Sequence, residues 1–267
     1  MSSFPVIVIT GASSGIGAAT ARVFANRGYR VTLAARRLKR LEALAQEIES
    51  AGGEALPMAT DVAKLEDIQN LVRATLDRFG QIDVLFNNAG FGRLDWLENL
   101  DPANDIEAQF RVNLLGVVLM AQAVVPHMIE QRAGHIINMG SIAGLVATPT
   151  YTVYSASKFA VRGFTEALRR EVGIYGVHVS GIYPGGGIAT EFKQHTGARR
   201  KTGATTPSLL RLSPEDVAVQ VWRLVERPRR TVIAPRVMRL AVWLNALLPG
   251  MVDGMIEWRF TRIERGE

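Results

Sequence analysis

Short runs of successive apolar residues alternate along this chain with longer stretches in which apolar positions recur every three or four residues. The runs are Val6–Thr10, Arg30–Ala35, Glu54–Thr60, Ile82–Asn87, Gly134–Gly140, Val177–Tyr183 and Thr231–Ala234. Strand-like runs separated by helix-like stretches predict βαβ units around a parallel sheet. Several runs, such as VIVIT and HIIN, are apolar on consecutive residues, which suits strands covered by helices on both faces. Leu38–Ser50 shows the helical pattern well, with leucines and isoleucine at spacings of three and four and Gly52-Gly53 at its end. A long apolar helix is expected from about Ile106 to Arg132, where Pro126 reads as a kink rather than a boundary. The fold class expected is α/β: a doubly wound parallel sheet of about seven strands in one domain, residues 1–235, followed by a C-terminal helical extension, residues 236–267.

Two segments break the rhythm. Gly185–Ser213 is rich in Gly, Thr and basic residues and long enough to suggest a functional loop. After Pro235 the chain is apolar and helix-like but split at Pro249-Gly250. In this tail Val237, Leu240, Ala241, Leu244 and Leu248 share one helical face, and Met251, Met255, Ile256 and Trp258 continue beyond the turn. Three uses stay open for it: packing on the chain's own core, a lid over a lipophilic pocket or a subunit contact, or a peripheral membrane contact with Arg236, Arg239, Arg259 and Arg262 toward head groups. Among the functional options the lid is favoured, because the tail adjoins the seventh strand.

Composition narrows the chemistry. The chain has 267 residues, 48% hydrophobic, with a formal charge of +6 and 21% charged residues, so a large core is available and dedicated nucleic-acid binding is not expected. The absence of cysteine excludes disulfides, thiolate metal sites and cysteine nucleophiles. Four histidines at 127, 135, 178 and 195 show no ligand spacing, so no metal is expected. No basic leader with a small-residue cleavage site precedes Val6, and no run of about 18 uncharged apolar residues stands out. A cytoplasmic location and no spanning helix are the corresponding expectations.

Thr10-Gly11-Ala12-Ser13-Ser14-Gly15-Ile16-Gly17 follows the first strand and opens the helix expected at Ala18–Arg27. Glycines there permit a tight turn in which free amides and the positive helix end face a pyrophosphate. The second strand ends at Arg36-Arg37, where an acidic residue would accept an NAD ribose hydroxyl. A guanidinium instead offers a fork to a 2′-phosphate, although both arginines could merely begin a solvated helix. Asp61, followed by Val62, could accept from the adenine amino group or cap the next helix. Farther on, Tyr154 and Lys158 lie one helical turn apart on one face. Taken singly they could be a packing aromatic and a surface charge, and Ser141 could be a strand-end cap.

The motifs together, TGASSGIG at 10–17, Asn87-Asn88-Ala89-Gly90, Asn113, Ser141 and Tyr154-Ser155-Ala156-Ser157-Lys158, resemble those of the short-chain dehydrogenase/reductase family in order and register. The resemblance runs from about Val6 to Pro235 and implies a Rossmann-type sheet. It also implies a hydride transfer between a nicotinamide and a carbinol carbon of a small carbonyl or alcohol, expected to be lipophilic, and Arg36 with Arg37 makes NADP(H) the expected cofactor. It would make Tyr154 the acid/base, Ser141 the group holding the substrate oxygen, Lys158 the ribose ligand that lowers the tyrosine pKa from about 10 toward 7, and Asn113 the anchor of a proton-replenishing water chain. Gly11, Ser13, Ser14, Gly15, Ile16, Gly17, Asp61, Val62, Asn88, Ala89 and Gly90 would line the dinucleotide. Pro184, Gly185, Ile188 and Thr190 would meet the carboxamide, but Gly185-Gly186-Gly187 is one glycine longer than the family pattern. A homo-oligomer, such as a dimer, is expected. The rival enzyme is a 3-oxoacyl-thioester reductase, and the rival outside catalysis is an idle nucleotide-binding sensor or scaffold.

Overall fold

The computed structural model describes residues 4–185, 188 and 211–258. Its strands are β1 (Val6–Thr10), β2 (Arg30–Ala35), β3 (Ala55–Ala59), β4 (Val84–Asn87), β5 (Gly134–Met139), β6 (Val177–Pro184) and β7 (Thr231–Ala234). They form one seven-stranded sheet in the order β3-β2-β1-β4-β5-β6-β7, and every pairing is parallel. The helices are α1 (Gly15–Ala25), α2 (Leu38–Ser50), α3 (Leu65–Phe79), α4 (Pro102–Gln131), α5 (Thr152–Val172), α6 (Pro214–Glu226), α7 (Met238–Leu247) and α8 (Pro249–Ile256). This is the Rossmann-type α/β fold expected. Its winding reverses at β1 and β4, the place where such sheets open a crevice at their carboxyl ends.

Consecutive apolar residues in the strands have a direct cause. Ile7, Ile9, Val31, Leu33, Val84, Phe86, Ile137 and Ile182 face one layer with Ala21 and Phe24 of α1, Leu41 and Leu44 of α2, and Val217 and Val221 of α6. Their neighbours Val8, Ala34, Leu85, Ile136 and Val179 face the other layer with Leu71 of α3, Met120 and Val124 of α4, and Leu168 of α5. Side chains alternate along a strand, so two covered faces require apolar residues at both parities. Full burial of side chains such as Phe86 or Ile9 stabilises by roughly 1.5–3 kcal/mol each. Pro57 falls in β3, which among the described residues pairs with β2 alone, and an edge strand tolerates a missing amide donor.

Several boundaries differ from the sequence reading. Helix α1 opens at Gly15, inside the glycine-rich motif rather than at Ala18, so the first-turn amides belong to the motif itself. Helix α4 is continuous through Pro126 and contains π-helical turns at Pro102–Glu107 and Arg111–Leu115. By length and composition α4 could cross a bilayer, although Asn113, Gln122 and His127 interrupt its apolar run. It nevertheless buries Met120, Ala121, Val124 and Met128 against the sheet, as a core helix does. Most of the Gly185–Ser213 loop, including Gly186, Gly187 and Thr190, lies outside the described residues.

The tail forms two short helices as predicted, but α7 has no buried residue and α8 buries only Val252. Ordinary packing on the core therefore does not account for its apolar positions. Of the predicted apolar face, Val237, Leu240, Ala241 and Leu248 are exposed and Leu244 is half-buried, as are Met238, Val242 and Asn245.

Candidate active site

The carboxyl ends of β1, β4 and β5 bring the motif residues together. Thr10 is buried, and its Oγ1 accepts from the backbone amides of Asn88 and Ala89, both at 3.0 Å. The Asn88 side-chain amide donates to the carbonyls of Thr10 (2.9 Å) and Gly11 (3.3 Å). The turns after β1 and β4 are thus locked to each other. Gly11 has φ +68°, and a Cβ there would meet Ala89 Cα at 2.9 Å; a Cβ at Gly17 would strike the Gly11 carbonyl oxygen. These two glycines are needed for turn conformation and for close packing of helix on strand.

Ser14 precedes α1 with φ −169° and makes no side-chain cap. The first-turn amides of α1 therefore lack a capping oxygen, which fits the anionic pyrophosphate of a dinucleotide. Across this turn lies Arg37, whose guanidinium donates to Ser13 Oγ (2.9 and 3.2 Å) and Ser14 Oγ (2.8 Å). Arg36 is exposed beside it. Of the two arginines, Arg37 is the one held over the glycine-rich turn. Asp61 Oδ1 takes the Ala63 amide at 3.0 Å, while the N-cap of α3 is Lys64. Asp61 is consequently not the cap of that helix, and its second carboxylate oxygen is left for another donor. Val62 is buried against Gly116, where a Cβ would meet it at 2.9 Å.

The second half of the site is assembled by α4 and α5. Asn113 sits fully buried in a π-helical turn. Its Oδ1 accepts from the Phe91 amide (2.9 Å), and its Nδ2 donates to the Phe91 carbonyl (2.8 Å) and Ser157 Oγ (3.2 Å). This side chain clamps the loop after β4 to α5. A Cβ at Gly90 would lie 3.1 Å from Asn113 Oδ1 and 3.5 Å from Lys158 Nζ, so Gly90 lets the backbone pass close to both.

Tyr154 and Lys158 face the same interior point. The Lys158 ammonium is buried, donates to the Met139 carbonyl at 2.9 Å and lies 5.8 Å from the centre of the Tyr154 ring. The remaining ammonium hydrogens can serve ribose hydroxyls. Ser141, extended at the end of β5, accepts the Ala143 amide at 3.2 Å and hydrogen-bonds the Tyr154 phenol. It is both a turn cap and a partner of the phenol. In the chain by itself, burial pushes the Tyr154 phenol up to about 12, partly opposed by Ser141, and pushes Lys158 down to about 8. The lowered tyrosine pKa read from the sequence is therefore not reached by these side chains alone, because desolvation outweighs the Ser141 hydrogen bond.

Three residues around the phenol had not been singled out. Leu94, Ala143 and Tyr154 form a small apolar cluster on which Tyr151 packs, with the two tyrosine rings edge to face at 6.2 Å. Tyr151 precedes Tyr154 by three residues, so helical spacing could have revealed it; Leu94 carries no such signal. Pro184 ends β6, and the Gly185 amide donates to the Ala234 carbonyl at 2.7 Å. A Cβ at Gly185 would lie 3.2 Å from Ile142 and 3.5 Å from Met238, which brings the start of α7 beside the residue following Ser141. Ile188 packs against the α1–α6 layer.

Residues 5–201 match the family model for the short chain dehydrogenases. The chain belongs to the short-chain dehydrogenase/reductase family. The short-chain dehydrogenases are oxidoreductases, and similar members differ in cofactor and substrate. A 3-oxoacyl-[acyl-carrier-protein] reductase of Synechocystis is 40% identical over 194 residues, 72% of this chain and 78% of that one. A short-chain dehydrogenase/reductase of Burkholderia phymatum, solved with NAD, superposes with a TM-score of 0.83 at 29% identity, covering 91% of this chain and 93% of that one. An alcohol dehydrogenase of Thermococcus sibiricus, solved with 5-hydroxy-NADP, gives 0.76 at 30% identity over 86% and 95%.

Proposed function

We propose that this short-chain dehydrogenase is an NADP(H)-dependent reductase of a carbonyl on a lipophilic small molecule. The observation that carries the reading is the buried Tyr154 phenol, bonded by Ser141 within the Leu94–Ala143–Tyr151 cluster and accompanied by the Lys158 ammonium. Bound NADPH would supply the hydride to the carbonyl carbon. Tyr154 donates its phenolic proton to the carbonyl oxygen, giving the alcohol and a phenolate. Ser141 donates to the same oxygen and holds it within reach of the phenol. Lys158 stabilises the phenolate and binds the nicotinamide ribose. Asn113, fixed by Phe91 and Ser157, anchors the water chain that returns the proton. A phenol pushed up by burial is protonated at neutral pH, the form that reduction uses. Leu94, Ala143 and Tyr151 supply the apolar wall that favours a lipophilic substrate.

Arg37 supports the choice of NADP(H), since its fork already spans Ser13 and Ser14 where a 2′-phosphate would approach. The exposed Leu115 and Phe159 on α4 and α5 support a homo-oligomer. A second reading, reduction of 3-oxoacyl thioesters, is favoured by the Synechocystis relative. Assaying NADPH consumption with lipophilic ketones, aldehydes and a 3-oxoacyl thioester separates the two. Tyr154→Phe is expected to lower turnover by about 10²–10⁴-fold while NADPH still binds. A variant that keeps more than about a tenth of the rate would remove Tyr154 as proton donor.

A further inference from the structure

The described chain exposes fifteen large hydrophobic side chains, and eight of them fall between Val237 and Trp258: Val237, Leu240, Trp243, Leu247, Leu248, Met251, Met255 and Trp258. This concentration is not scattered surface apolarity. At about 100° per residue, Leu240, Trp243 and Leu247 lie opposite the half-buried Met238, Val242 and Asn245, with half-buried Leu244 at the flank between the two sides. Helix α7 is thus apolar both toward the body and away from it. In α8, Met251 and Met255 share an outward line that Trp258 extends, whereas Val252 and Ile256 turn inward. The carboxylates Asp253 and Glu257 project roughly 120–160° away from that line.

A lid works through its inward face, so a lid does not account for the outward stripe. A rigid protein partner would need a surface matched to the tip formed by Leu247, Leu248, Pro249 and Gly250, all exposed. A lipid interface has no fixed shape and takes such a tip directly. Trp243 and Trp258 are 65% and 68% exposed, and tryptophan suits the boundary between acyl chains and head groups. Arg236 and Arg239 are exposed at the entry to the hairpin. From Arg227 onward the chain carries eight arginines against four carboxylates, a balance complementary to lipid phosphates.

We propose that the outward stripe of α7 and α8 docks this protein on an anionic phospholipid bilayer. Docking also draws the neighbourhood of Ser141 toward the interface, because Met238 at the start of α7 lies beside Gly185, which adjoins Ile142. A bilayer-dissolved carbonyl compound would then reach Tyr154 without crossing much water. That delivery rests on the carbonyl-reductase reading, whereas the docking does not.

The test is flotation of the full chain with vesicles of phosphatidylcholine alone or mixed with phosphatidylglycerol. Binding to the mixed vesicles is expected, reduced at least tenfold by Leu240→Glu/Leu247→Glu and by Arg236→Glu/Arg239→Glu. Trp243→Ser serves as a milder variant should the double glutamate chain not fold, with NADPH binding as the folding check. Tyr154→Phe should float like the wild type, so loss of catalysis and loss of docking are separately visible. Absence of wild-type flotation, or flotation untouched by every stripe variant, overturns the proposal. So does self-association that the glutamates abolish without any vesicle binding, which would assign the stripe to a second copy of the chain.

Discussion

At the scale of single residues, chemistry depends on what each side chain has already bonded. Arg37 reaches two hydroxyls of the glycine-rich turn, while Arg36 is merely exposed; the adjacent pair is equivalent in sequence but not in space. Arg37→Ala should raise KM for NADPH by about 10- to 150-fold, the equivalent of about 1.5–3 kcal/mol for a charge-assisted contact, and leave that for NADH nearly unchanged. Steady-state kinetics with both cofactors checks it. His135, buried at the far end of β5, gives a second case. Ser180 donates its hydroxyl hydrogen to the Arg229 carbonyl at 2.6 Å, so the 2.8 Å contact from His135 Nε2 must carry its hydrogen on that nitrogen. Nδ1 is left buried without a partner. Burial, with the neighbouring His178, lowers the His135 pKa from 6.5 to about 3. The unfolded chain then takes up a proton below pH 6.5 that the folded chain refuses until about pH 3. This contribution to stability is present above pH 6.5 and falls by about 1.4 kcal/mol per pH unit below it. Urea unfolding from pH 7 to 4.5 should show that slope in the wild type and its loss in His135→Gln, whatever the variant's absolute stability.

At the scale of elements, periodicity located the strands and α2 because two-sided burial imposes a pattern that a linear reading can detect. The ends were harder to read. α1 starts three residues early because Gly15 can take the left-handed φ of +54° from which the helix opens, a conformation that a side chain would disfavour. Asn113 was visible as a motif, yet its placement in a π-helical turn, clamping Phe91 and Ser157, depends on α4 meeting α5. Pro126 is exposed within α4 and lacks the amide that would bond the Gln122 carbonyl. Pro126→Ala should restore this bond and stabilise the fold by about 1–3 kcal/mol, measured by thermal or urea unfolding with activity unchanged.

At the scale of the whole molecule, the sheet and its two helical layers form a self-sufficient core, and the tail adds little to it. Among the described residues, truncation after Pro235 removes one fully buried side chain, Val252, and the half-buried Met238, Val242, Leu244, Asn245 and Ile256, so a loss of about 1.5–3 kcal/mol from Val252 with smaller increments from the others is expected. The truncated chain should fold and bind NADPH as before. Its KM for a lipophilic carbonyl should rise, because Met238, which lies beside Gly185 near Ile142, is lost. Calorimetry, cofactor titration and kinetics on the two chains test these statements together.

The sequence by itself determined the βαβ alternation, the positions of the glycine-rich turn and the Tyr154–Lys158 pair, and the existence of a split apolar tail. Each is a local matter of spacing, backbone freedom or helical register. Tertiary structure alone decided which arginine lies over Ser13 and Ser14, that Leu94 and Tyr151 join the phenol, and that burial moves Tyr154 and Lys158 in opposite directions. It also decided that the tail's apolar stripe faces outward. These outcomes depend on which distant elements converge and exclude water. Apolar periodicity identifies a helix and its faces, but only packing determines which face is covered.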